Sequence, residues 1–312
     1  MPAGGVNEES EARMADSSLF RRRVLVVSFE GWNDAGDAAS TAVATLQEHI
    51  ESTPLLVMDS ETYYDYQYSR PVATFDGDGA REIQWPTTTF YGPLVPAGNS
   101  EESVPSGASL SSRDGHIYLL SGVEPSRNWQ TFVGEIVEMC HAVDIEGVVL
   151  LGAMLADVPH TRPIPTFVSS ENSEVRSACG AERSTYEGPT GIIGVLADAA
   201  ERAGIPTISV WGSVPHYVHH GPCPKAALAL LDKVETIIGV VIPRGSLESD
   251  AQEWQEQVDR LAADDEDMAA YILTLEQQRD MFDSPEASGD SIAEEFERFL
   301  RGRDNRPPDP RG

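Results

Sequence analysis

Side chains able to hold or move a proton occur at four places in the chain, each directly after an apolar run. Glu30, Asn33 and Asp34 follow VLVVSF, and Glu124 and Arg127 follow HIYLLSG. Asp157, His160 and Arg162 follow GVVLLGAML, and His216 and Tyr217 follow ISVW. If these runs are parallel strands of an open α/β sheet, all four sets lie beyond the strands' carboxyl ends, where such sheets take their ligands. A rim of carboxylates, histidines and arginines can do acid and base chemistry. It can equally be an ion-paired network that ties loops down. On the first reading the catalytic candidates are Glu30, Asp34, His160, Arg162 and His216.

The loop after the first run, GWNDAG, has the Gly-x4-Gly spacing of a phosphate loop, but its chemistry is wrong. A phosphate loop continues with Lys and Ser or Thr to meet phosphate and magnesium; here Asp37 and Ala38 follow. Glu30, Asp34 and Asp37 suit a helix N-terminus and repel a second anion there. The plainer reading is a turn at Gly31 and a helix capped by Asn33 or Asp34. Lysine is scarce as well: Lys225 and Lys233 alone occur, both on one amphipathic stretch. That disfavours an ATP-dependent ligase, and no dinucleotide fingerprint is present.

The cluster PHYVHHGPC offers His216, His219, His220 and Cys223, but Pro215, Gly221, Pro222 and Pro224 oppose a helix that would converge them. No Gly-x-Ser-x-Gly nucleophile elbow occurs; GIIGVL has the glycines without the serine. Cys140 falls on an expected core face, and Cys179 has no base near it in sequence. Neither a metal nor a cofactor is expected.

The elements that must position these residues alternate. RVLVVSF (23–29) reads as a strand, and Ala38, Ala39, Ala42, Val43 and Leu46 recur at helical spacing after it. LLVMD (55–59) is a second strand. VATFDGDGAREIQWPTTTF is a hairpin turning at Asp76 to Gly79. Residues 93–114 form a long polar loop. HIYLLSG, a helix from about Ser126 with Phe132, Val133, Ile136, Val137 and Cys140 on one face, and EGVVLLGAML (146–155) follow. After an irregular segment comes a helix with Pro189 just inside its start and Gly204 just past its end. IPTISVW and a helix from Pro224 close a body spanning 21–243.

The expected fold is therefore α/β, a mainly parallel Rossmann-like sheet of phosphorylase or hydrolase type with an antiparallel hairpin. Residues 244–301 read as an acidic, all-helical C-terminal extension. Its stripes are Trp254, Val258 and Leu261; Met268, Tyr271, Ile272 and Leu275; and Ile292, Phe296, Phe299 and Leu300, with a capping box at Ser291 and Glu294. The stripes are seams between helices or a partner surface. Residues 1–20 and 302–312 read as a disordered leader and tail.

The chain has 312 residues and a formal net charge of -29 from 51 acidic against 22 basic residues. A nucleic acid or an anionic membrane is not an expected partner, because phosphate attraction needs a basic face. The one basic triplet, Arg21 to Arg23, directly precedes the first strand. Three widely spaced cysteines suit a reducing compartment, the acidic N-terminus is unlike a signal peptide, and no run is long enough to span a membrane. The expected location is the cytoplasm.

Four ordered segments carry a resemblance: VSFEGWNDAGDAAS, LLGAMLADVPHTRPIP, YEGPTGIIGVLADAAERAGIPTISVWGSVPHYV and GDSIAEEFERFL. Together, over about residues 23–300, they resemble the proteasome assembly chaperone 2 family, particularly its actinobacterial branch. The resemblance implies a Rossmann-like domain shaped like purine nucleoside phosphorylases, a helical C-terminal extension, and self-association, commonly as trimers. It also implies a non-catalytic role in protein assembly, with proteasome subunits as partners. It brings no catalytic residues with it, so these segments transfer as fold markers. Some archaeal relatives dock on the core particle by a tail ending in a hydrophobic residue, tyrosine and any last residue. This chain ends Pro310-Arg311-Gly312, so docking of that kind is not expected. The alternative is a small-molecule enzyme, hydrolase-like or nucleoside-phosphorylase-like, working at the strand-end rim.

Overall fold

The computed structural model describes residues 20, 22–94, 108–110, 116–218 and 221–283. A seven-stranded sheet runs through the centre in the order β2-β5-β7-β1-β8-β10-β9. Its strands are β1 (Val24–Glu30), β2 (Ser52–Val57), β5 (Thr88–Pro93), β7 (Ile117–Val123), β8 (Gly147–Ala156), β9 (Thr166–Ser169) and β10 (Thr207–Pro215). The central four, β7, β1, β8 and β10, pair in parallel. They are the near-continuous apolar runs that a sheet covered on both faces requires: β1 is buried from Val24 to Phe29 and β8 from Gly147 to Ala153.

Alternation along the strands divides the core into two layers. Val24 and Val26 of β1, Leu119 of β7 and Val149 and Leu151 of β8 face helices α1 (Ala38–Gln47) and α6 (Pro224–Ile238). Leu25, Val27, Phe29, Tyr118, Leu120 and Leu150 face α3 (Trp129–Ala142) and α5 (Ile192–Arg202). Each fully buried Leu, Ile or Val of these layers contributes roughly 1.5–3 kcal/mol. A one-turn helix, α2 (Ser60–Tyr63), follows β2 and is capped by the Asp59 side chain. The extension begins with α7 (Leu247–Ala263), which packs on α6 through Leu247 and Trp254, and continues as α8 (Glu266–Asp283).

Several expectations are corrected. The hairpin turns where expected, but its strands β3 (Val72–Phe75) and β4 (Arg81–Gln84) form a separate two-stranded sheet. The antiparallel strands of the main sheet are instead β5, paired between β7 and β2, and β9, on the far edge beside β10. Of TTTF, read as the end of the hairpin, Thr88 to Phe90 start β5, because Pro86 breaks the chain before it. The segment read as irregular holds both β9 and α4 (Ser173–Cys179), which Asn172 caps. Pro189 lies before α5 rather than inside it; Gly191 is the N-cap. Leu261 points to solvent while Val258 and Ala262 are buried, so the first extension stripe is narrower than expected.

Phe20, the last residue of the expected leader, is buried in the core. Ala108–Ser109 (β6), inside the expected long loop, pairs in parallel with Val240–Val241 (β11). Residues 1–19, 95–107 and 111–114, His219, His220, the stripe Ile292 to Leu300 with its capping box, and the tail lie outside the described residues.

Candidate functional site

Apart from Glu30, the strand-end residues form two groups, and each is engaged by the chain itself. The first begins in the loop after β1. Gly31 takes a positive φ of 105°, and its carbonyl accepts a hydrogen bond from the Asp34 amide at 3.0 Å. The Asn33 carbonyl accepts from the Ala153 amide at 2.8 Å, which ties the loop to β8. Asp34 then turns its carboxylate onto the first turn of α1: Oδ1 accepts from the Ala39 amide at 2.6 Å and Oδ2 from the Ser40 amide at 3.2 Å. Burial pushes the Asp34 carboxyl up, against the pull of the Ser40 hydroxyl and these amides.

Glu124, at the end of β7, does the same for the other layer. Its Oε1 accepts from the Ile192 amide, the first of α5, at 2.9 Å and from Asn33 Nδ2 at 3.0 Å. Gly191 is required there, because a Cβ would stand 2.2 Å from Asn33 Oδ1. Two helix N-termini that open at the strand ends, the places where an anion would bind, are thus filled by Asp34 and Glu124. Arg127 is also committed: its guanidinium donates to the Tyr64 carbonyl.

The second group is clasped by the extension. His160 is 1% exposed. Its amide and its Nδ1 lie 2.7 and 2.9 Å from the Tyr217 hydroxyl, and its Nε2 lies 2.9 Å from Asp259 Oδ1 on α7. These partners fit one neutral tautomer: Nε2–H donates to Asp259, and Nδ1 accepts the Tyr217 proton. Burial holds the imidazole below its ordinary value, the Asp259 carboxylate pulling the other way. The Tyr217 phenol is pushed up to about 12, chiefly by burial. Lys225 Nζ donates to the His160 carbonyl at 2.5 Å and to Gln255 Oε1 of α7 at 2.6 Å.

Arg162 grips α8 with a fork, Nε and Nη2 donating to the two Asp280 oxygens at 2.7 and 2.8 Å, while the Thr161 hydroxyl donates to Glu276. His216 Nδ1 is 3.1 Å from Asp157 Oδ1, and edge-to-face contacts join His160, His216 and Tyr217 to Trp254 and Tyr271 of the extension. Asp259, Glu276, Asp280, Trp254 and Tyr271 were not marked by sequence as members of this cluster. The partners of the three carboxylates lie 99 to 118 residues away, and only the amphipathic stripes hinted that the helices dock at all.

Glu30 belongs to neither group. It lines an open groove of about 430 Å³ beside α1, with Ser40, Thr41 and Gln47 on one wall and Thr87, Thr89, Tyr91 and Ser121 along β5 and β7. Among the described residues the lining has one carboxylate and no basic group. Burial, and then the charge of Asp37, raise the Glu30 carboxyl. The three thiols, Cys140, Cys179 and Cys223, are buried and unbridged, and burial lifts Cys140 to about 12 and Cys223 to about 11, far from a nucleophile's range. Among the described residues no three His, Cys, Asp or Glu side chains are placed to hold a metal ion.

Residues 28–262 match the model of a family described as the PAC2 family. Among solved structures, the chain is similar to a PAC2 family protein from Streptomyces avermitilis, at 43% identity over 80% of this chain and 99% of that one, with a TM-score of 0.68. It is similar to a proteasome-assembly chaperone homologue from Mycobacterium tuberculosis at 39% identity, over 80% of this chain and 99% of that one, with a TM-score of 0.66. A Mycobacterium tuberculosis protein of unknown function shares 27% identity over 84% of this chain and 86% of that one, with a TM-score of 0.71. No curated protein matches the chain in sequence.

Proposed function

The chain belongs to the PAC2 family, and from that membership we propose that it is a non-catalytic, self-associating protein that helps assemble other proteins, in the manner of proteasome assembly chaperones. One observation carries the reading: apart from Glu30, the strand-end rim is taken up by the chain's own structure, Asp34 and Glu124 on two helix N-termini and His160 and Arg162 on the extension. A rim with most of its donors and acceptors already paired has little left with which to orient a substrate. The mycobacterial relative at 39% identity, a proteasome-assembly chaperone homologue, supports the choice of partner. On this reading the α/β body to about residue 243 self-associates, as a trimer, the helical extension braces it, and the partners are proteasome α or β subunits in the cytoplasm. No described helix is long and apolar enough to cross a membrane. The test is co-purification of the tagged full chain with those subunits; retention of either supports the role, and retention of neither by an intact oligomer removes it.

The groove at Glu30 favours a second reading, an enzyme on small molecules. Hydroxyls and one carboxylate with no basic group suit a neutral polyhydroxylated or a cationic ligand rather than a phosphorylated one. A thermal-shift screen with nucleosides, nucleotides, phosphate and divalent metals, repeated on Glu30→Gln, decides it. A ligand response that Glu30→Gln abolishes supports the enzyme, and no response to any of them counts against it.

A further inference from the structure

The hairpin β3–β4 is out of keeping with the rest of the molecule. Every residue of both strands is exposed except Thr74, which is half-buried. Register places Ala73 opposite Ile83 and Phe75 opposite Arg81, and Trp85 falls on the same face two residues beyond Ile83. Phe75 is 74% exposed, Trp85 51% and Ile83 41%. A tilted ring contact of Tyr66 with Trp85, centroids 4.9 Å apart, lies at the base of the hairpin. A lone two-stranded ribbon is marginally stable in water, and an apolar face carried on one calls for a cover.

We propose that the cover is a second copy of this chain, the apolar face of the hairpin in one copy lying against the β2 edge of the next. This rests on the self-association proposed above and names its surface. Charge selects the occupant. Two molecules of net charge -29 repel, so they can meet only where charge is sparse. From Tyr66 to Leu94 there are two arginines, Arg70 and Arg81, against Asp76, Asp78 and Glu82, and from Ser52 to Met58 there is no charge at all. A basic partner protein would instead be drawn to acidic faces such as that of α7.

The second surface is on the same chain. β2 ends the sheet, pairs with β5 alone among the described residues, and exposes Leu55 and Val57. Pro54 and the bulge at Leu55 interrupt the strand's hydrogen bonding, so this surface offers apolar side chains to a neighbouring face rather than a site for an added strand. Hairpin to edge is a head-to-tail contact, which closes into a ring when the rotation between copies allows.

The test is light scattering behind size exclusion on the full chain, over about 1–100 µM, the range in which a moderately stable contact shows. The wild type is compared with Phe75→Ser/Ile83→Ser and with Val57→Lys. The altered side chains are exposed, so each variant keeps the circular dichroism of the wild type, and its melting temperature matches that of the wild type at concentrations where both are monomeric. The expected result is one assembly for the wild type and monomers for both variants, a loss of affinity of about 100-fold or more. An unchanged mass in both variants overturns the docking and leaves self-association standing; a wild type that is monomeric throughout overturns both. Hairpin variants that keep the assembly but lose a co-purifying proteasome subunit assign the hairpin to that subunit and overturn the second copy.

Discussion

Asp34 decides what the first strand-end loop can hold, because its two oxygens occupy the amides of Ala39 and Ser40 that an anionic ligand would need. Asp34→Ala is expected to lower unfolding free energy by about 1–2 kcal/mol, as loss of a helix cap does, and Asp34→Asn to lose less because one acceptor oxygen remains; urea titration distinguishes them. His160 sets a pH dependence. The unfolded imidazole takes its proton near pH 6.5, and the folded one, held neutral by burial, takes it only at lower pH. The folded state therefore binds fewer protons in that window. Its stabilisation is complete above about pH 6.5 and is lost as pH falls below it. The melting temperature is expected to drop between pH 7.5 and 5.5, and His160→Gln to flatten that drop.

At the scale of elements, the extension is a brace whose attachment is polar as well as apolar. α7 and α8 bury Val258, Ile272 and Leu275, while Asp259 and Asp280 meet His160 and Arg162. Arg162→Ala is expected to speed amide exchange severalfold in residues 266–283 and to leave β1 and β8 unchanged; uniform exchange across the chain would contradict a local brace. Long, strongly patterned elements were legible: β1, β8 and α6, whose Pro224 sits in its first turn, fall where the apolar spacing puts them. β9 and α4 were not, because four- and seven-residue pieces are too short for a period to register. Nor was β5, since TTTF reads equally well as a hairpin arm until its partners are known.

For the whole molecule, charge governs association. The 51 acidic against 22 basic residues make every self-contact work against repulsion. Salt screens that repulsion, so raising NaCl from about 50 to 500 mM is expected to strengthen self-association, read as a lower dissociation constant by sedimentation. A contact held by ion pairs would weaken instead.

The sequence alone determined the α/β class, the apolar central strands and the unfitness of GWNDAG for phosphate, because apolar period, turn chemistry and local charge are all written within a few residues of one another. What each rim residue touches was decided only by tertiary structure. Asp34 reaches its own helix across five residues, but Glu124 finds Ile192, and Arg162 finds Asp280, across 68 and 118. No local pattern encodes a pairing over that distance; it exists once parallel strands bring their carboxyl ends to one edge and α7 and α8 fold back over it.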